Sequence, residues 1–354
     1  MDTGTARLKG LDGLRGVAAT WVVLFHLWGA IQRRDSDWVP SAIQSFLEFG
    51  FLGVDIFFVL SGFVISYSVL NTQPSGFFIP RFILRRSIRI DPPYWATIAL
   101  AILFIVSKNV LFPEHAEPLP TPAALAAHMF YLQDLMSYAP ISSIFWTLCL
   151  EFQFYVGFAT VVYLANRLKV SDHDILALAL TGAAFLVLLA SPYLRFSEVG
   201  FPIPGTIFPY LNEFVLGIAG CQYLKGRIQL STLVAMALIS LWLVSHLKSA
   251  VYGVVPALTL GIIVLSARKP VWTHWLSAKP LQFLGRISYS LYLTHAIVGW
   301  TSVSLLIRLA NGYSSPLLTT FIFLAGLAIS VIFAYVFYHV LEKYFIELSR
   351  KLKT

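Results

Sequence analysis

In the stretch LDGLRGVAATWVVLFHLWGA, residues 11 to 30 of a 354-residue chain, Arg15 and His26 stand eleven positions apart in an otherwise apolar run. On a helix, at about 100° and 1.5 Å per residue, that step covers about three turns, a net rotation of about 20° and a rise of about 16 Å. The two side chains therefore share one face, about half a membrane apart. Arg15 is either an interfacial anchor that snorkels to the headgroups or one end of a polar track, and His26 either a satisfied core histidine or the other end. Their common face, with Asp12 one turn before Arg15, favours the track.

Four other places put ionisable groups where chemistry could use them. IPRFILRRSIRIDPPYW carries Arg81, Arg85, Arg86 and Arg89 at helical spacing. This cluster is either a topology signal that meets anionic headgroups or a phosphate cradle, because guanidinium forks bind phosphate bidentately. Four arginines would suit a nucleotide-bearing ligand with several phosphates. A short helix is expected there, ending before Pro92, with Asp91 capping the span that begins at the proline pair. GFLGVDIFFVLSGFVIS buries Asp55 in an apolar window, where it either caps and pairs locally or serves function. FWTLCLEFQFY does the same with Glu151, read as an ion-pair partner of Arg15 or His26, a protonated hydrogen-bond donor, or a group that orients the histidine. In LGRISYSLYLTHAIVGW the serines and tyrosines read as interhelical hydrogen bonds and His295 as the exception. His339 and Glu342, near the C-terminus, read as interfacial anchors.

The elements that must position these groups are membrane helices. Of the chain, 58% is hydrophobic and only 12% charged, half the charged fraction usual in soluble domains, with a mean hydropathy of +0.76. About ten spans follow from hydropathy: roughly 11–30, 49–70, 92–111, 144–166, 173–192, 205–224, 229–247, 251–267, 283–305 and 316–340. The fold class expected is all-α, a polytopic bundle, with residues 1–354 as one transmembrane domain. On this map 18 of the 25 basic residues fall on the side of the termini and six on the other, with Arg15 inside, so both termini are expected in the cytoplasm. The net charge of +8 lies in small clusters between apolar windows, not along one face, which excludes nucleic acid as partner and leaves the lipid bilayer. Residues 112–143 form a longer outward segment that could dip back toward the membrane. Cys149 and Cys221 fall inside apolar windows, which argues against a disulfide or a metal cage.

Taken in order, LDGLRGVAATWVVLFH, GFLGVDIFFVLSGFVIS, RRSIR, FWTLCLEFQFY and GRISYSLYLTH give the chain a resemblance to the acyltransferase-3 family of integral membrane acyltransferases, over nearly its whole length. The family's Arg or Lys followed after ten residues by His is matched by Arg15 and His26, and its Arg-x-x-Arg by Arg86 and Arg89. Its tryptophan-serine-leucine segment leading to Glu, Gln, Phe and Tyr is matched by Trp146, Thr147, Leu148, Glu151, Gln153, Phe154 and Tyr155, with threonine in the serine's place. Longer family members append a soluble esterase-like domain that these 354 residues do not contain.

The resemblance implies transfer of an acyl group, foremost acetyl, from cytoplasmic acyl-CoA to a hydroxyl of a carbohydrate or glycan acceptor at the outer side of a bacterial inner membrane, with no metal. Under it, Arg85, Arg86 and Arg89 hold the phosphates of CoA and Arg15 meets the donor at the inner mouth. His26 acts as general base, with acyl-histidine as the alternative, Glu151 or Asp55 orients the imidazole, and Tyr155 and His295 lie on the substrate side. A transporter or flippase would need a similar polar face and arginine cluster. A phosphate-binding loop paired with one suitable base favours the enzyme.

Overall fold

The computed structural model describes residues 9–32, 37–69, 76–167, 173–198, 200–268 and 270–352. Of the basic residues that set the orientation, Arg7, Arg33, Arg34, Lys169, Lys269 and Lys353 lie outside these, as does part of the loop 71–91. The helices are α1 (Lys9–Ile31), α2 (Ser41–Glu48), α3 (Gly53–Val69), α4 (Phe78–Leu111), α5 (Pro122–Met129), α6 (Trp146–Arg167), α7 (His173–Phe196), α8 (Leu211–Leu224), α9 (Leu230–Leu247) and α10 (Ala250–Arg268). They continue as α11 (Lys279–Arg286), α12 (Ser288–Thr294), α13 (Trp300–Leu309), α14 (Pro316–Phe337) and α15 (Lys343–Lys351), with π-helical turns at His295–Gly299 and Tyr338–Glu342.

Among the described residues eight helical stretches are long and apolar enough to cross a membrane. The protein is an all-α polytopic membrane protein, although the count of ten is not matched by length. The windows at 173–192 and 205–224 correspond to α7, whose described apolar stretch is Thr181–Phe196, and to α8, which has 14 residues. At 1.5 Å per residue α8 measures about 21 Å, short of a hydrocarbon core of about 30 Å.

The expectation of a short arginine helix ending before Pro92 is corrected. Pro92 and Pro93 lie inside α4, one continuous helix of 34 residues. Each proline removes one backbone hydrogen bond, but membrane helices tolerate this where neighbours meet the polar groups. The carbonyls that lose an N–H are those of Ile88 and Arg89; at the pair itself Tyr289 Oη donates to the Ile90 carbonyl (2.8 Å), and within α4 Thr97 Oγ1 donates to that of Pro93 (2.8 Å). Asp91 caps nothing and accepts from Tyr131 Oη (2.8 Å).

The chain clusters into two compact units. One comprises residues 1–18, 54–82 and 150–285, the other 19–53, 83–149 and 286–354, so α1 and α4 each contribute to both. In the first unit, α7 to α10 enclose a core of Leu188, Leu216, Leu233, Met236 and Leu260. α3 crosses α8 at backbone contact: a Cβ on Gly62 would lie 2.0 Å from the Phe214 carbonyl oxygen, and one on Gly217 2.0 Å from that of Val59. Phe214 then stacks on Phe58 (4.7 Å) and Phe154 (4.2 Å). Because a methyl group cannot enter without separating two backbones, Gly62→Ala is expected to cost about 1–3 kcal/mol. Thermal unfolding in detergent would show it, with Gly157→Ala as control, since a Cβ there meets no atom within 4 Å. Equal melting of the two variants would contradict the crossing.

In the second unit the chain leaves α4 at Leu111, and by residues 129–131 it again lies beside the middle of that helix. Trp95 Nε1 donates to the Met129 carbonyl (3.1 Å), and Tyr131 stacks on Tyr94 with centroids 4.9 Å apart. α5 begins at Pro122 because Thr121 caps it, accepting from Ala124 N (3.2 Å), with the proline at the position where no N–H is needed.

Candidate active site

In the second unit α1 presents His26 to His295, the first residue of the π-helical turn after α12. His26 Nδ1 lies 2.9 Å from the Val22 carbonyl oxygen and 3.2 Å from His295 Nε2. His295 Nδ1 in turn lies 2.7 Å from the Tyr292 carbonyl oxygen and 3.1 Å from that of Leu291. The two rings sit at 65°, centroids 4.9 Å apart, with Phe25 edge-on to His26 at 4.9 Å. His295 is wholly buried and His26 partly so. Among the described residues these are the hydrogen bonds of His26, and all of them fall on Nδ1.

The scaffold beneath His295 is polar and satisfied. Tyr292 Oη is 2.6 Å from Thr147 Oγ1, so the hydroxyl that stands in for the family's serine meets the helix that carries His295. Glu342 is no rim anchor: it is buried, and its Oε2 accepts from both Ser290 N (3.0 Å) and Ser290 Oγ. That carboxylate takes an orphan N–H in the first turn of α12 and faces the positive end of the helix, which explains its burial. Elsewhere in this unit, His128 Nε2 accepts from Ile141 N (3.1 Å) while its Nδ1 bonds the Ala124 carbonyl (2.8 Å). Burial holds this imidazole below its ordinary range, and the neutral ring ties α5 to the segment that leads into α6.

In the first unit the buried carboxylates of Asp55 and Glu213 and the partly buried one of Glu151 have their own partners. Arg195 Nη1 donates to Asp55 Oδ1 and to Glu213 Oε1, each at 2.8 Å. The guanidinium lies over the rings of Tyr210 (4.5 Å) and Phe196 (4.9 Å). Ser61 Oγ donates to Glu151 Oε1 (3.0 Å), and Tyr155 Oη, one turn along α6, donates to the same oxygen. Gln153 clamps the loop before α8: its Nε2 donates to the Gly205 carbonyl (2.7 Å) and its Oε1 accepts from Ile207 N (3.0 Å). Sequence reasoning missed Arg195 and Glu213. Glu213 carried the signal that exposed Glu151, a carboxylate inside an apolar window, whereas Arg195 looked like an ordinary loop cation at a span's end.

The arginine candidates fall on two helices. Arg15 is partly buried on α1, whose first turns pack at backbone contact on residues 276–285: a Cβ on Gly285 would lie 1.8 Å from the Asp12 carbonyl oxygen. On α4 Arg81 is exposed, while Arg85, Arg86 and Arg89 are partly buried. Among the described residues no group of three or more metal-ligating side chains occurs.

An all-α chain with eight helical stretches long and apolar enough to cross a membrane among its described residues, a histidine pair in one unit and an arginine between two buried carboxylates in the other, is an integral membrane protein. The chain belongs to the acyltransferase-3 family: the family model, described as an acyltransferase domain, matches residues 8–339. It is similar to the O-acetyltransferase OatA of Staphylococcus aureus strain NCTC 8325, 24% identical over an alignment of 316 residues that covers 81% of this chain and 50% of that one. The same protein of strain MRSA252 matches with the same figures. The chain thus spans about half the length of the curated relatives it matches. No solved structure matches.

Proposed function

We propose that the protein is a membrane O-acyltransferase that moves an acyl group, acetyl foremost, from cytoplasmic acyl-CoA to a hydroxyl of a sugar or glycan acceptor, in a bacterial cytoplasmic membrane with both termini inside. The family match and the relatives' name, O-acetyltransferase, support the reaction class. The observation that carries the mechanism is the side of His26 that its hydrogen bonds use. A carbonyl oxygen only accepts, so Nδ1 facing Val22 bears the proton, and the lone pair of the neutral ring lies on Nε2.

In this reading Nε2 takes the acceptor's hydroxyl proton as the oxygen attacks the thioester carbonyl. The carbon–sulfur bond then breaks, and the proton passes to the departing thiolate, giving ester and free CoA. Arg85, Arg86 and Arg89 hold the phosphates of CoA, and Arg15 serves the donor at the inner mouth. Glu151 and Tyr155, joined by their hydrogen bond, offer the acceptor a coupled carboxylate and hydroxyl. Asp55, held by Arg195, acts through the position of α3, which brings Ser61 to Glu151.

The test is release of free CoA from acetyl-CoA by purified protein with a panel of sugar acceptors, together with thermal stabilisation by CoA. Turnover that requires an acceptor, and a midpoint that rises with CoA, are expected. Arg86→Ala with Arg89→Ala should weaken CoA binding by about 10-fold or more for each guanidinium lost, with the apo protein melting unchanged. Absence of CoA binding, with no acceptor supporting turnover, would instead favour a transporter or flippase of a glycan or small polar solute.

A further inference from the structure

We infer that His295 is the positioning residue of the reaction: it holds His26 in the one tautomer that leaves Nε2 as the base, and it acts without a carboxylate. The inference rests on the acyltransferase reading above and goes beyond it in naming what orients the base.

His295 Nδ1 faces two backbone carbonyls, at 2.7 and 3.1 Å, so that nitrogen carries a proton. His26 Nδ1 faces the Val22 carbonyl at 2.9 Å, so it carries one too. The remaining contact, His295 Nε2 to His26 Nδ1 at 3.2 Å, then requires a lone pair on His295 Nε2. His295 is therefore the neutral Nδ1–H tautomer, and its lone pair receives the His26 proton.

Every other pair of neutral tautomers sets lone pair against lone pair or proton against proton at one of the four contacts. The His26 Nδ1 proton is shared between the Val22 carbonyl at 2.9 Å and His295 Nε2 at 3.2 Å, and His295 is the side chain of the two, the partner from another helix. The arrangement survives the reaction. When Nε2 of His26 takes the acceptor's proton, Nδ1–H becomes part of a cation and its hydrogen bond to His295 strengthens. That is the third group's part in a nucleophile–base–orienter set, played here by a neutral ring. The fold invests in this ring: it is wholly buried, begins a π-helical turn, and stands on a helix fixed by Tyr292–Thr147 and Glu342–Ser290 contacts. π-Turns inside helices are rare and recur at functional sites.

The test compares variants by steady-state CoA release and by CoA-induced thermal stabilisation. His295→Leu fills much of the space but offers no acceptor. His295→Asn keeps a donor near the Nδ1 position and lacks anything at Nε2, while His295→Gln reaches the Nε2 position with a carbonyl oxygen. Expected are a fall in kcat of about 100-fold or more for Leu and Asn, with KM for acetyl-CoA and the CoA stabilisation within about twofold of wild type, and recovery of at least about tenfold by Gln. If Leu does not fold, the Asn and Gln pair decides. A folded Asn variant with wild-type kcat overturns the inference, as do Asn and Gln variants equally impaired, which would make the ring a packing element. A wild type that neither binds nor turns over acetyl-CoA overturns the acyltransferase reading itself, a result the His295 variants cannot mimic.

Discussion

His26→Ala is expected to lower acceptor-dependent release of CoA by about 100- to 10,000-fold, the range that positioned proton transfer contributes. That is about 3–5 kcal/mol of barrier at about 1.4 kcal/mol per decade. A sugar hydroxyl is a weak nucleophile at neutral pH, and His26 is the imidazole whose Nε2 remains available, since both nitrogens of His295 are engaged. The loss should fall on kcat. Acetyl-CoA affinity, assigned to arginines on α1 and α4, should stay within about twofold, and CoA should stabilise the variant as it does the wild type. His26 is only partly buried and its hydrogen bonds use one nitrogen, so the truncation should leave the bundle folded. His26→Gln sharpens the test, because it keeps a hydrogen-bonding group but has no basic nitrogen, and should be as inactive as alanine. A folded His26→Ala enzyme that turns over at the wild-type rate would move the base to another residue.

Much of this site was legible because charge in an apolar window has few explanations. Arg15, Asp55, Glu151 and His26 each stood out against the transfer cost of their windows, and a helical step of eleven places Arg15 and His26 on one face by arithmetic alone. What stayed hidden was pairing. Hydropathy weighs one segment at a time, so it could not say that Asp55 would meet an arginine 140 residues later, or that the imidazole's partner would be a second histidine 269 residues away. Glu342 failed for the same reason: at the end of the last span it looked like an anchor, and only α12, whose N-terminal turn it receives, gives it a buried role. The proline pair misled by a different route. In water a proline ends a helix, because the freed carbonyls find better partners outside it, whereas in a bundle the neighbouring helices hold the segment and α4 runs on.

The largest effect on stability is expected at Arg195. One guanidinium nitrogen serves Asp55 and Glu213 at 2.8 Å each, the two carboxylate side chains are 2% exposed and that of Arg195 14%. Removing the cation strands two buried acids whose partner was the main return on their desolvation, and breaking a buried pair in this way typically costs about 3–5 kcal/mol. Arg195→Met, which keeps an apolar stem under Tyr210 and Phe196, should therefore melt far below the wild type in detergent, or fail to accumulate. Taking away one acid should do much less, because Asp55→Asn or Glu213→Gln leaves one carboxylate for one guanidinium and keeps a group able to hydrogen-bond. The ordering is the discriminating result: Arg195→Met well below either acid variant by thermal unfolding and by recovery of monodisperse protein. If Arg195→Met melts with Asp55→Asn, the triad does not hold α3, α7 and α8 together. If it melts with the wild type, the charges are balanced by some other group. Because α3 also brings Ser61 to Glu151, a loosened triad should reach Glu151 as well. Asp55→Asn would then lower turnover by a few-fold while CoA-induced stabilisation, read on arginines outside the triad, is retained.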